Sequence, residues 1–116
     1  MKPLINILLI EDNPGDAGLL REHLAEADSP GFQVQHVDRL KTGLACLDKG
    51  GVECVLLDLG LPDSQELDTF LRVQEHANGV PVVILSGSKE DALAIEAVRA
   101  GAQDYLDKGH IDAYIL

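Results

Sequence analysis

The chain has 116 residues, which is the usual size of one domain and is long enough to bury a hydrophobic core. It carries 20 acidic and 9 basic side chains, and the resulting net charge of −11 argues against direct binding to nucleic acid. No apolar run is long enough to span a membrane. The cysteines, Cys46 and Cys54, have neither a metal-binding nor a redox spacing, so we expect reduced thiols in a cytoplasmic protein.

Apolar runs alternate with helical patterns along the whole chain. In chain order, the predicted strands lie at 4–10, 32–37, 52–57, 80–85 and 105–106. Apolar residues at helical spacing predict helices between them, at 19–27, 40–47, 67–77 and 93–98, and a fifth helix that begins at Ile111. Strands that are apolar on both faces and alternate with helices predict a doubly wound parallel α/β sheet. We expect residues 1–116 to be one domain in which the last helix, over 111–116, is only begun.

Short polar segments mark the predicted beginnings of two helices. The segment Asn13-Pro14 follows the first strand and can cap the first helix. Asp63 and Glu66 have the spacing of a capping pair, which predicts the beginning of the third helix.

Polar side chains follow four of the five predicted strands, at the carboxyl ends where open parallel sheets bind ligands. Glu11 and Asp12 follow the first strand, Asp58 the third, Ser86 the fourth and Lys108 the fifth. Three carboxylates held together repel one another, and Mg²⁺, which prefers oxygen ligands, relieves that repulsion. A lysine and a serine can hold phosphoryl oxygens. The set therefore predicts a site for a phosphoryl group coordinated to Mg²⁺, with an aspartate as candidate nucleophile.

Over essentially its whole length, the sequence resembles the receiver domains of two-component response regulators. The matching stretches are 7–13, 56–63, 82–87 and 100–108. The resemblance implies a flavodoxin-like sheet of five parallel strands in the order 2-1-3-4-5.

The resemblance also implies the chemistry of the site. Asp58 takes the position of the phosphoacceptor. Asp12 and Asp58 take the positions of direct Mg²⁺ ligands, the backbone carbonyl of Gly60 takes the remaining protein-ligand position, and Glu11 acts through bound water.

Three further residues take positions that respond to phosphorylation in the family. Ser86 takes the position of the switch hydroxyl, Lys108 that of the phosphate-binding lysine, and Tyr105 that of the aromatic side chain that turns inward. The implied result is a change in the surface formed by helix 4, strand 5 and helix 5.

The resemblance further implies the partners. A sensor histidine kinase or a histidine phosphotransfer protein would donate the phosphoryl group to Asp58, and an output domain would be fused to the chain or act downstream. A homodimer could form through the helix 4–strand 5–helix 5 face. The protein would catalyse its own phosphorylation and dephosphorylation and would not be a turnover enzyme on an external substrate.

Three positions depart from the family pattern. Gly109 stands where a proline is common, Glu66 stands where a glycine is usual, and Gly87 stands where an alanine is common. The first departure predicts a more mobile loop after strand 5, and the second leaves the turn geometry before helix 3 open.

Two other functions stay open from the sequence. One is a receiver-like interaction module that acts without phosphorylation, although all five site residues are retained. The other is a Mg²⁺-dependent phosphatase with an aspartyl nucleophile, which would want a second acid at the position of Gly60. A flavodoxin-like cofactor binder is disfavoured because no phosphate-binding Gly/Ser/Thr-rich loop follows the first strand.

Overall fold

A computed structural model describes residues 4–26, 31–87 and 91–108 of the chain. Within these residues, strands and helices alternate in the order β1 (Ile5–Ile10), α1 (Pro14–Ala25), β2 (Phe32–Val37), α2 (Leu40–Lys49), β3 (Cys54–Asp58), α3 (Glu66–Ala77), β4 (Val82–Ser86), α4 (Asp91–Arg99) and β5 (Asp104–Asp107). The predicted fifth helix from Ile111 and the predicted effect of Gly109 lie outside the described residues. No helix in the described ranges is long and apolar enough to cross a membrane.

The five strands form one sheet in the order β2-β1-β3-β4-β5, and every neighbouring pair is parallel. The predicted fold class and strand order are therefore confirmed. The third and fourth strands extend slightly further than predicted, so β3 ends at Asp58 and β4 ends at Ser86. Both of these candidate site residues consequently belong to the sheet itself, where the ladder of backbone hydrogen bonds holds them.

Alternate side chains of the central strands pack on opposite faces of the sheet, which explains why these strands are apolar throughout. On one face, Leu8, Leu57 and Ile84 pack with side chains of α2, α3 and α4, including the fully buried Phe70. On the other face, the core is formed with residues of α1 and consists of Ile7, Leu9, Ala17, Leu20, Leu24, Leu56 and Leu85. The loops at the carboxyl edge therefore project from a sheet that is packed on both faces.

The ends of α1 and α3 use residues with the expected capping chemistry. Asn13 is the N-cap of α1, and its side chain accepts a hydrogen bond of 3.0 Å from the Asp16 N–H, while Pro14 occupies the first helical position. At the end of α3, Asn78 adopts the left-handed conformation with φ of +52°. The cap of α1 fixes the backbone immediately after the first strand, close to Glu11.

The predicted capping pair of α3 is wrong. Gln65 is the N-cap of α3, and its side chain makes no capping hydrogen bond. Asp63 instead reaches the beginning of α2, where its carboxylate accepts bonds from the N–H groups of Leu40 at 2.8 Å and Lys41 at 3.1 Å. The loop after β3 folds back onto α2, so its acid serves a helix distant in sequence rather than the helix that follows.

Glu66 begins α3 with a φ of +43°, in the left-handed region that glycine adopts without strain. A side chain in this region costs roughly 1–2 kcal/mol because its Cβ approaches the carbonyl oxygen. The turn therefore keeps a conformation suited to glycine although the residue is a glutamate.

Candidate functional site

The three acids predicted to cluster do so in the structure. One carboxylate oxygen from each of Glu11, Asp12 and Asp58 lies within 4.8 Å of the others. The register explains this, because Ile10, the last residue of β1, pairs with Leu57 of β3, and Glu11 and Asp58 are the residues that come next in the chain. Glu11 and Asp58 are buried, whereas Asp12 is exposed, so the cluster opens to solvent on one side.

Lys108 brings positive charge to this cluster from the end of β5. Its Nζ atom lies 2.8 Å from Glu11 Oε1, 3.2 Å from Asp16 Oδ2 and 3.6 Å from Asp58 Oδ1. Only 19% of the lysine side chain is exposed, so its contacts with the two buried acids are shielded from bulk water. Lys108 thus contacts both buried acids of the cluster, together with a fourth acid that the sequence interpretation did not include.

The environment shifts the pKa values of the three acids in different directions. Burial, with a contribution from Asp58, raises the pKa of Glu11 from 4.5 to about 8. Burial alone would raise the pKa of Asp58 too, but hydrogen bonds from Glu11 and the Gly60 N–H, with the charge of Lys108, hold that pKa below its usual value. Burial and the neighbouring Asp58 also raise the pKa of Asp12.

Burial opposes the charge of the Lys108 ammonium, but hydrogen bonding to Glu11 and the charges of Asp58 and Glu11 outweigh this and hold its pKa above its ordinary value. Near neutral pH and without a bound cation, the cluster therefore contains an ionised Asp58, a protonated Lys108 and a Glu11 that retains its proton. The Lys108 ammonium lowers the pKa of Glu11, but burial and the neighbouring Asp58 outweigh it. An all-oxygen donor set of this kind fits a hard divalent cation such as Mg²⁺.

Ser86 and Lys108 reach the same edge through the pairing of β4 and β5. Asp58 pairs with Leu85, and the next residue, Ser86, pairs with Asp107, which precedes Lys108. Ser86 is fully buried and its Oγ donates to the Gly87 carbonyl at 3.0 Å. The strand ends therefore carry the candidate residues in neighbouring positions along one edge of the sheet.

The structure gives the positions of Gly60 and Tyr105 but does not test the roles predicted for them. The Gly60 N–H donates to Asp58 Oδ1 at 3.1 Å, which orients that carboxylate, while a metal-binding role for the Gly60 carbonyl stays a prediction. Tyr105 lies in β5 opposite Ile84, is half-buried and packs against the core on the face of α2, α3 and α4. Its role as a switch also stays a prediction.

Two contacts at the site were missed from the sequence. Asp16, which lies in the first turn of α1, pairs with Lys108. His36 of β2 places its Nε2 2.8 Å from the backbone carbonyl oxygen of Glu11, and so helps to hold the segment that carries Glu11 and Asp12. The strand order that the resemblance implies places β2 beside β1, but the sequence analysis did not single out His36.

Comparison with known proteins identifies the family. The family model for the response regulator receiver domain matches residues 7–114, and the chain belongs to this family. Receiver domains of this family bind Mg²⁺ at an acidic pocket, and the acidic cluster of this chain has the corresponding composition.

Among similar proteins, the KDP operon transcriptional regulatory protein KdpE of Escherichia coli K12 is 34% identical over 105 residues, covering 90% of this chain and 45% of KdpE. The transcriptional regulatory protein PhoP of the same strain is 30% identical, again with 90% and 45% coverage. The chain thus spans less than half the length of these curated relatives.

The solved receiver domain of NtrX from Brucella abortus has a similar fold, with a TM-score of 0.82, 23% identity and coverage of 94% of this chain and 90% of that one. The structure of the phosphorylated cyanobacterial phytochrome response regulator RcpA has a TM-score of 0.78 at 21% identity, covering 97% of this chain and 89% of that one. At these identities the likeness concerns the fold.

Proposed function

We propose that the chain is a phosphoacceptor switch in which Asp58 receives a phosphoryl group in a Mg²⁺-dependent reaction. The observation that carries this proposal is the state of Asp58. It is a buried carboxylate whose pKa is held below its usual value by its neighbours, and it lies in an acidic cluster 3.6 Å from the Lys108 ammonium. An ionised carboxylate in a shielded position is suited to attack phosphorus, because its lone pair is free and competing water is reduced.

In the proposed reaction, one Asp58 oxygen forms a bond to phosphorus as the bond from phosphorus to a phosphohistidine nitrogen breaks. The histidine leaves with the electron pair of that bond, and the product is an acyl phosphate. The donor would be a sensor histidine kinase or a histidine phosphotransfer protein.

Asp12, Asp58 and the Gly60 carbonyl would hold Mg²⁺, with Glu11 acting through water, and the bound ion would neutralise charge on the transferring group. Lys108 supplies a second positive charge close to Asp58. Ser86 lies at the end of the neighbouring strand, where its hydroxyl can turn from the Gly87 carbonyl towards a phosphoryl oxygen.

The signal would leave the site through β4 and β5. Movement of Ser86 and Lys108 towards the phosphoryl group would pull on these strand ends. Tyr105, which lies in β5 and packs against the core, is a side chain that can follow. The output would be a changed surface around α4 and β5, through which a homodimer or a fused output domain could respond. The protein would act in the cytoplasm and would turn over no external substrate.

Intact-mass measurement tests the proposal. The protein is incubated with Mg²⁺ and acetyl phosphate, and we expect a gain in mass of one phosphoryl group that requires Mg²⁺ and is absent from Asp58→Asn. Asp68→Asn, which alters an exposed acid of α3, is the matched control and should be labelled like the natural sequence. A protein that gains no phosphoryl group, or gains one despite Asp58→Asn, would show that the proposal is wrong.

A further inference from the structure

Asp16 holds the Lys108 ammonium from a position outside the metal-binding acids. Its Oδ2 atom lies 3.2 Å from Lys108 Nζ, closer than the 3.6 Å between that ammonium and Asp58 Oδ1. Glu11 Oε1 is closer still, at 2.8 Å. Without a phosphoryl group, the ammonium therefore lies nearer to two other acids than to the proposed phosphoacceptor.

The capping of α1 explains why the Asp16 side chain is available for this contact. An acid three residues after an N-cap commonly bonds back to the N-cap N–H group. Here the Asn13 N–H donates to Glu11 Oε2 at 3.3 Å, so another acid already serves it. The Asp16 N–H donates to Asn13 Oδ1 at 3.0 Å, which fixes the backbone of Asp16 while its carboxylate reaches Lys108.

We propose that Asp16 is a positioning residue that holds Lys108 towards α1 and thereby weakens the pairing of Lys108 with a phosphoryl group on Asp58. This inference rests on the proposed function. A phosphoryl group brings close to two negative charges and attracts the ammonium, but the ammonium must loosen its bond to Asp16 in order to follow. The Asp16 carboxylate also repels the incoming group.

The size of the effect follows from the exposure of the pair. Lys108 is 19% exposed and Asp16 is 39% exposed, so solvent partly screens their attraction. Loosening an ion pair of this kind changes an affinity by about threefold. The Asp16 contact is therefore expected to adjust the strength of phosphoryl binding without deciding whether it occurs.

Binding of beryllofluoride, a non-covalent analogue of the phosphoryl group, tests the inference in saturating Mg²⁺. We expect Asp16→Asn to lower the half-saturating concentration about threefold. Asp16→Glu, which keeps the charge, should behave as the natural sequence does. Glu22→Gln is the matched control, because it removes one exposed charge from the same helix.

A spectroscopic readout separates positioning from a general loss of charge. The NMR signal of the Lys108 Cε group, identified by its loss in Lys108→Arg, should move in Asp16→Asn before any ligand is added and should stay in place in Glu22→Gln. A purely structural role for Asp16 in helix capping would leave this signal unchanged.

The outcomes distinguish the two proposals. If the natural sequence binds no beryllofluoride, the proposed function is wrong and this inference is lost with it. If the natural sequence binds but Asp16→Asn binds no more tightly, only the inference is wrong. The inference also fails if Glu22→Gln tightens binding as much as Asp16→Asn does. It fails likewise if Asp16→Glu binds more tightly than the natural sequence, or if the Lys108 signal does not move in Asp16→Asn.

Discussion

Replacing Glu11 with glutamine is expected to remove much of the pH dependence of unfolding between about pH 5 and pH 7 when no divalent cation is present. The pKa of Glu11 rises from 4.5 in the unfolded chain to about 8 in the folded protein. Its contribution to stability is therefore fully present below pH 4.5 and is lost as the pH rises towards 8. The pKa of Asp58 is lowered, so its contribution is lost below its ordinary value of 3.8, outside this range.

The magnitude follows from linkage. Each pH unit between the two pKa values of Glu11 lowers the free energy of unfolding by up to about 1.4 kcal/mol. From about pH 5 to pH 7, the natural sequence should therefore lose about 2 kcal/mol more stability than Glu11→Gln. Glu11 has no exposed surface, so solvent does not screen this effect.

Urea unfolding with a chelator, at several pH values, measures the difference directly. Subtracting the curve of Glu11→Gln from that of the natural sequence isolates the contribution of the Glu11 carboxyl group. Mg²⁺ should stabilise the natural sequence more as the pH rises, because the cation competes with the proton on Glu11. If the free energy of unfolding depends on pH equally in the natural sequence and in Glu11→Gln, Glu11 does not have the raised pKa on which this prediction depends.

Two further predictions concern the loop after β3 and the first residue of α3. Glu66→Gly should raise the free energy of unfolding by about 0.5–1 kcal/mol, because relief of the left-handed strain exceeds the entropy cost of glycine. Glu66→Ala keeps the strained Cβ, so an equal gain for alanine in chemical denaturation would contradict this explanation. Asp63→Ala should lower the free energy of unfolding by about 1 kcal/mol, because it removes the acceptor of two N–H bonds at the beginning of α2. Asp63→Asn keeps one good acceptor, so it should lower the free energy of unfolding by less. If the natural sequence, Asp63→Ala and Asp63→Asn unfold at the same denaturant concentration, these hydrogen bonds contribute nothing to stability.

The sheet and the strand-end residues could be predicted because both follow from local pattern and one general rule. Apolar strands alternating with helices indicate a parallel sheet, and a parallel sheet brings all carboxyl ends to one edge. The sequence alone therefore predicts that Asp58 and Ser86 lie at the same edge. The chain order of the polar residues carried the necessary information.

The contacts made by Asp63 and Asp16 could not be predicted in the same way. Asp63 bonds to a residue 23 positions away and Asp16 to one 92 positions away, while each also has a spacing typical of local helix capping. Local spacing cannot distinguish a cap from a distant partner, because the choice depends on how loops fold across the sheet edge. The strain at Glu66 could not be predicted from the sequence either, because it depends on the backbone φ angle of that residue.

The position of Lys108 in the chain has a consequence for folding. Glu11 and Asp12 follow β1 and Asp58 ends β3, two interior strands of the sheet, whereas Lys108 follows β5, the edge strand furthest along the chain. During synthesis, the mutually repelling acids emerge well before the ammonium that partly balances them. We expect Mg²⁺ to serve as the early counter-charge and so to stabilise a partly formed sheet that lacks β5. Equal protection of the β1 and β3 amides from hydrogen exchange, with and without Mg²⁺ in a chain ending before Asp104, would argue against this order of events.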